Sequence, residues 1–233
     1  MKGALIIIEG SDSSGKATQT EMLYSRLVNE KYNVTKIDFP NYKSDSSALV
    51  KMYLNGEFGG SASDVSPYVA STFYAVDRFA SFKKEWEQLY IDGSIIIADR
   101  YVTSNMVHQG AKISNPNQKS EYLNWLWDLE FVKFGLPTPD YVFFLDMPPE
   151  YSIRLMETRN NKITGEAQKD IHEKDFDYLR ASYNNSREIA EKYNWIRIEC
   201  VENGKIKSIE QIHEEIYLYL NTNALISKSK SLL

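Results

Sequence analysis

Five short apolar runs punctuate the chain, at 4–8, 34–39, 95–98, 141–145 and 195–198. They are rich in Ile, Val, Phe and Tyr and mostly do not alternate with polar residues. That is the pattern of strands buried on both faces of a parallel sheet. Longer segments with helical spacing lie between them. Over 18–28, Met22, Leu23, Leu27 and Val28 fall on one face. Over 69–90, Val69, Phe73, Val76, Phe79, Phe82, Trp86, Leu89 and Tyr90 recur at threes and fours. Segments 122–134 and 209–220 read the same way. Strands alternating with helices predict right-handed βαβ units and a three-layer α/β fold, a five-stranded parallel sheet flanked by helices. No internal repeat or low-complexity linker divides the chain, so 1–233 reads as a single domain.

Two stretches resist regular assignment. "GAKISNPNQKS", 110–120, is polar, contains a proline, and reads as a loop or helix–helix connection. "TRNNKITGEAQKD", 158–170, is basic and lies between two helical segments. It reads either as a solvated surface loop or as a short lid over a phosphate site.

Composition narrows the class. Net charge is −5, which argues against a general nucleic-acid or anionic-membrane binder while leaving room for a local basic pocket. A single cysteine, Cys200, excludes an internal disulfide and a cysteine-based zinc site, and favours a reducing compartment. His172 and His213 lack metal-ligand partners at a useful spacing. No apolar stretch approaches membrane-spanning length, and the opening run is too short for a signal peptide. The expectation is a cytoplasmic protein.

The chemistry begins at "EGSDSSGKAT". Gly10, Ser11, Asp12, Ser13, Ser14, Gly15 and Lys16 fit the phosphate-binding spacing G-x-x-x-x-G-K, with a strand before and a helix after. The glycines let backbone N–H groups converge on a phosphate, the helix amino terminus adds positive potential, and Lys16 can reach the outer phosphates. The motif's usual metal-ligating hydroxyl is replaced by Ala17, with Thr18 one step late. Magnesium needs only one or two carboxylates beside substrate phosphates and water. Asp12 and Asp99 are the candidates at the carboxyl edge of the sheet, with Glu9 a weaker one.

Further motifs follow in order: "FPNY", "YLNGEFG", "FYAVDR", "DRYVTSN" and "DIHEKDFDYL". With the phosphate loop, they resemble the thymidylate kinase family of phosphate-loop nucleoside-monophosphate kinases. The resemblance implies that fold, ATP and dTMP as substrates, magnesium as cofactor, and a homodimer. It places Lys16 and the loop amides, from Gly10 through Thr18, on the ATP phosphates. Asp12 would meet the sugar 3′-hydroxyl and the metal region. Arg100 would grip the acceptor phosphate, which its fork geometry suits. Phe39, Pro40 and Tyr42 would line the acceptor pocket. Tyr74, or Phe73 beside it, would stack on the base. Arg78, Ser104 and Asn105 would read its edge.

The chain also departs from the family's pattern. His108 stands where relatives carry an aromatic that screens the sugar 2′ position, and Asn41 replaces a frequent arginine. Ser13 and Ser14 occupy the place where some relatives carry a catalytic arginine. The family's other solution puts that cation in the lid, so Arg154, Arg159 and Lys162 are candidates, with Arg159 favoured. Two other readings stay open at this point: a kinase for another nucleoside monophosphate or deoxynucleoside, and a non-catalytic nucleotide-binding protein.

Overall fold

The structure, a computed structural model, describes residues 2–156 and 176–223. The expected lid at 158–170, with Arg159 and Lys162, lies outside the described residues, as does His172. The strands are β1 (Leu5–Gly10), β2 (Val34–Asp38), β3 (Ile95–Asp99), β4 (Tyr141–Asp146) and β5 (Ile196–Glu199). They form one parallel sheet in the order β2-β3-β1-β4-β5. β1 takes the centre because both its faces are apolar. Leu5 and Ile7 join one core with Trp86, Tyr101, Tyr122 and Ile189. Ile6 and Ile8 join the other with Leu23, Leu27, Ile212 and Ile216.

The second core is roofed by α1 (Lys16–Asn29) and α9 (Ile209–Thr222). Facing the first are α3 (Pro67–Ser81) with α4 (Glu87–Ile91), α5 (Val102–His108), α6 (Pro116–Trp127) and α8 (Phe176–Lys192). α2 (Ala48–Leu54) and α7 (Pro149–Met156) are shorter. A tight hairpin, β6 (Val201–Glu202) and β7 (Lys205–Ile206), follows β5. Its turn residues Asn203 and Gly204 both have positive φ, the geometry for which Asn-Gly is suited.

The expectations for two helices need correction. In α1, Leu23 and Leu27 are fully buried, but Val28 is exposed and Gln19 and Thr20 take the inward places. Along 69–90, Phe82, Trp86 and Tyr90 are buried in the core as the spacing predicts, but Val69, Val76, Phe79 and Leu89 are exposed, and Ala70, Ser71, Ala75, Asp77 and Arg78 face inward. The inward face of α3 is small and polar because it encloses a buried ion pair, which turns the apolar stripe outward. Segment 110–120 is only partly a loop. Asn115 accepts hydrogen bonds from the N–H groups of Asn117 and Gln118, and Pro116 takes the first helical position. Asn-Pro there starts a helix rather than breaking one.

Candidate active site

The carboxyl ends of β1 and β3 open into a cavity of about 480 Å³. One end is the phosphate loop. Gly15 at φ 94° and Ser13 at φ 59° turn the chain into the amino terminus of α1. Gly10 has no space for a side chain, since a Cβ there would stand 2.9 Å from the carbonyl oxygen of Leu145. Asp12 through Gln19 line the cavity, while Gly10 and Ser11 lie behind them as the loop's frame. Ala17 and Thr18 are exposed on the first turn of α1.

Lys16 is enclosed at the base of this loop. Its ammonium donates to the Ser11 carbonyl at 2.6 Å and lies 4.0 Å from Asp12 Oδ1. Burial, helped by the nearby Arg100 charge, lowers its pKa to about 7, with Asp12, Asp99 and Glu9 opposing.

Arg100 leaves β3 at φ 70°, a left-handed conformation uncommon for a residue other than glycine. That turn aims its guanidinium across the cavity to Asp12, with which it is paired. Nη1 lies 3.0 Å from His108 Nε2 and 3.4 Å from Ser104 Oγ. A guanidinium can only donate, so Nε2 of His108 accepts and its ring proton sits on Nδ1. Burial opposes the charge on Arg100, but Asp12, Glu9 and Asp99 outweigh it and hold its pKa above the ordinary value.

Glu9 has a different place from the one its position suggests. It is fully buried, and its Oε2 accepts from both Thr103 Oγ1 and Ser104 Oγ at 2.7 Å, while Oε1 accepts from Gly10 N. It fastens α5 to the end of β1 rather than facing the cavity. Asp12 and Asp99 do line it. Among the described residues no group of three metal-ligating side chains occurs, and the candidate donors at the cavity are these two carboxylates. Such a sparse oxygen set fits magnesium, which keeps several waters and shares phosphate oxygens.

The other end of the cavity is formed by Phe39, Pro40, Tyr42, Tyr74 and α5, which presents Ser104, Asn105 and His108. Phe73 packs away from it, against Tyr53 and Phe58. Arg78 also stands back: it is one layer behind Asn105, with its guanidinium held by Glu130. Asn41 turns its amide to Glu85 and does not line the cavity. The carboxyl end of α5 is held by α8, where Asn185 donates to the carbonyls of Met106 and Val107 and Tyr178 to that of His108.

Several cavity residues lay outside the sequence expectations, among them Gln109 and three isoleucines. Gln109 is buried beside His108, and its Oε1 has no hydrogen-bond partner among the described residues. Ile206, Ile209 and Ile212 form an apolar wall at the loop end, where Gln19 ties α1 to the Ile209 carbonyl. The available signal for that wall was the Asn-Gly turn just before it.

A family model described as thymidylate kinase matches residues 8–216. The chain belongs to the thymidylate kinase family. That family, one of nucleoside-monophosphate kinases, is the one the motifs resembled. The thymidylate kinase of Mycobacterium tuberculosis is 32% identical over 172 residues, covering 73% of this chain and 78% of that one. The thymidylate kinase of Plasmodium falciparum is 27% identical over 215 residues, covering 92% and 88% respectively. The solved structure of the thymidylate kinase from Candida albicans superposes with a TM-score of 0.72 at 23% identity, covering 97% of this chain and 94% of that one. This last likeness bears out the fold expected from the motifs.

Proposed function

We propose that the protein transfers the γ-phosphoryl group of ATP to dTMP, giving ADP and dTDP. The observation that carries this reading is the continuity of the cavity. The phosphate loop with Lys16 lies at one end, Arg100 stands between, and the pocket lined by Tyr74 and Asn105 lies at the other. An oxygen of the acceptor phosphate forms a bond to the γ-phosphorus as the bond to the ADP oxygen breaks. Such a transfer needs in-line placement and neutralised charge more than covalent help. The acceptor is already an anion, so no strong general base is required.

Family membership supports the assignment, and the residues fit its parts. Lys16 and the loop amides would hold the donor phosphates, with magnesium at Asp12 and Asp99. Arg100 would hold the acceptor phosphate, exchanging its pairing with Asp12 for a phosphate fork. Tyr74 would stack on thymine, with Ser104, Asn105 and Gln109 at its polar edge. Arg159 would supply the lid cation. We also propose a homodimer, supported by the exposed stripe of Val69, Val76 and Phe79 along α3, and a cytoplasmic location, supported by the lone buried Cys200. Among the described residues no helix is long and apolar enough to cross a membrane. Chromatography of a reaction with ATP, magnesium and dTMP tests the assignment: dTDP and ADP should appear in equal amounts, and ADP without dTDP would refute it.

A further inference from the structure

Arg78 and Glu130 form a salt bridge that water does not reach. Glu130 lies in a widened π-helical turn, Asp128–Lys133, that continues α6 and directs its carboxylate inward. Both carboxylate oxygens are engaged, with Arg78 Nε and Nη2 donating to them at 2.6 Å. Such a pair is weak evidence for stability, because the cost of desolvating two charges offsets their attraction. Its role is then to be sought in what it orients.

The third guanidinium nitrogen supplies the answer. Arg78 Nη1 reaches the Oδ1 of Asn105 at 3.5 Å and the Tyr101 carbonyl at 3.4 Å. On its other side, Asn105 donates from Nδ2 to the Ser71 carbonyl at 3.4 Å. Ser71 is itself fixed, its hydroxyl 2.7 Å from that of Tyr122, which donates to the Asn105 carbonyl. Turning the Asn105 amide over would set its NH₂ against the guanidinium and its oxygen against a carbonyl. Both contacts would be lost and two like groups opposed. The amide therefore has one sense, and Asn105 lines the cavity.

A carboxamide keeps one further N–H and one further lone pair beyond those contacts. Thymine offers an O4 acceptor beside its N3–H donor, whereas cytosine offers an N4 donor beside its N3 acceptor. The two bases require opposite senses of the same amide. We propose that Glu130 is a positioning residue for base selectivity: by clamping Arg78 it locks Asn105 in the sense that pairs with thymine and opposes cytosine. This rests on reading the Tyr74–Asn105 end of the cavity as the acceptor-base pocket.

The test is the ratio of kcat/KM for dTMP to that for dCMP, with the KM for ATP measured alongside. Glu130→Gln should lower the ratio at least tenfold while the KM for ATP stays within twofold. Glu130→Asp keeps the buried charge but cannot reach both guanidinium nitrogens in place. It should fold even if the glutamine variant does not, and should lower the ratio in the same direction by a smaller factor. An unchanged ratio in a folded variant would overturn the proposal, and so would equal loss for both acceptors, the signature of a merely structural role. A wild-type enzyme that turns over neither acceptor would instead overturn the assignment of the cavity, and the proposal with it.

Discussion

Lys16 donates its ammonium to the Ser11 carbonyl, 2.6 Å away, inside its own phosphate loop. The contact is short, yet burial still lowers the pKa of Lys16 to about 7 from an ordinary 10.5. Below pH 7 both the folded and unfolded chains hold this proton, and the burial penalty is fully present. Between about 7 and 10.5 the unfolded chain holds more protons, so stability rises with pH, by up to about 1.4 kcal/mol per unit. Ligand-free protein should therefore gain stability from pH 7 towards 10 relative to Lys16→Met, in paired denaturant titrations.

The same shift has a consequence for binding. Donor phosphates beside Lys16 favour its charged form and restore the missing proton. At pH 8, ATP should bind with uptake approaching about one proton, read from the buffer dependence of the binding enthalpy. Lys16→Ala should abolish both the uptake and phosphoryl transfer.

Arg100 links the two halves of the site through Asp12, His108 and Ser104. Arg100→Lys keeps the charge but loses the fork. It should lower kcat/KM for dTMP by about ten- to a hundredfold, the worth of one charge-assisted hydrogen bond, and leave the KM for ATP little changed. Steady-state kinetics with each substrate varied in turn checks this.

Ala17 sits exposed on the first turn of α1, where the motif normally has a hydroxyl. On the proposal that Asp12 and Asp99 are the carboxylate ligands, Ala17→Thr should retain turnover and preserve or modestly raise magnesium affinity, read by activity against free Mg²⁺. Strong inactivation would show that the metal's surroundings are built around the smaller residue.

Arg159→Ala should lower kcat by at least about a hundredfold, with a much smaller rise in the KM for dTMP, because a lid cation acts on transition-state charge. If neither changes, the role passes to Arg154 or Lys162.

The sheet was readable because its strands are continuous apolar runs, and the phosphate loop because spacing, strand and helix agree. The polar inward face of α3 was not readable. Sequence periodicity follows hydrophobicity, and here a buried Arg78–Glu130 pair reversed the usual sides. Glu130 itself sits in "DLEF" like any surface acid, and only the π turn brings it to an arginine 52 residues earlier in the chain. Gln109 and the wall of Ile206, Ile209 and Ile212 escaped for a related reason. Their role comes from which elements converge on the cavity, which no local pattern records.

The most direct measurement of the central claim is ADP release from ATP and Mg²⁺ with dTMP, dUMP and UMP as separate acceptors. Rapid turnover with dTMP, well above that with UMP, is the result this account predicts. ATP binding without turnover on any of the three would contradict it.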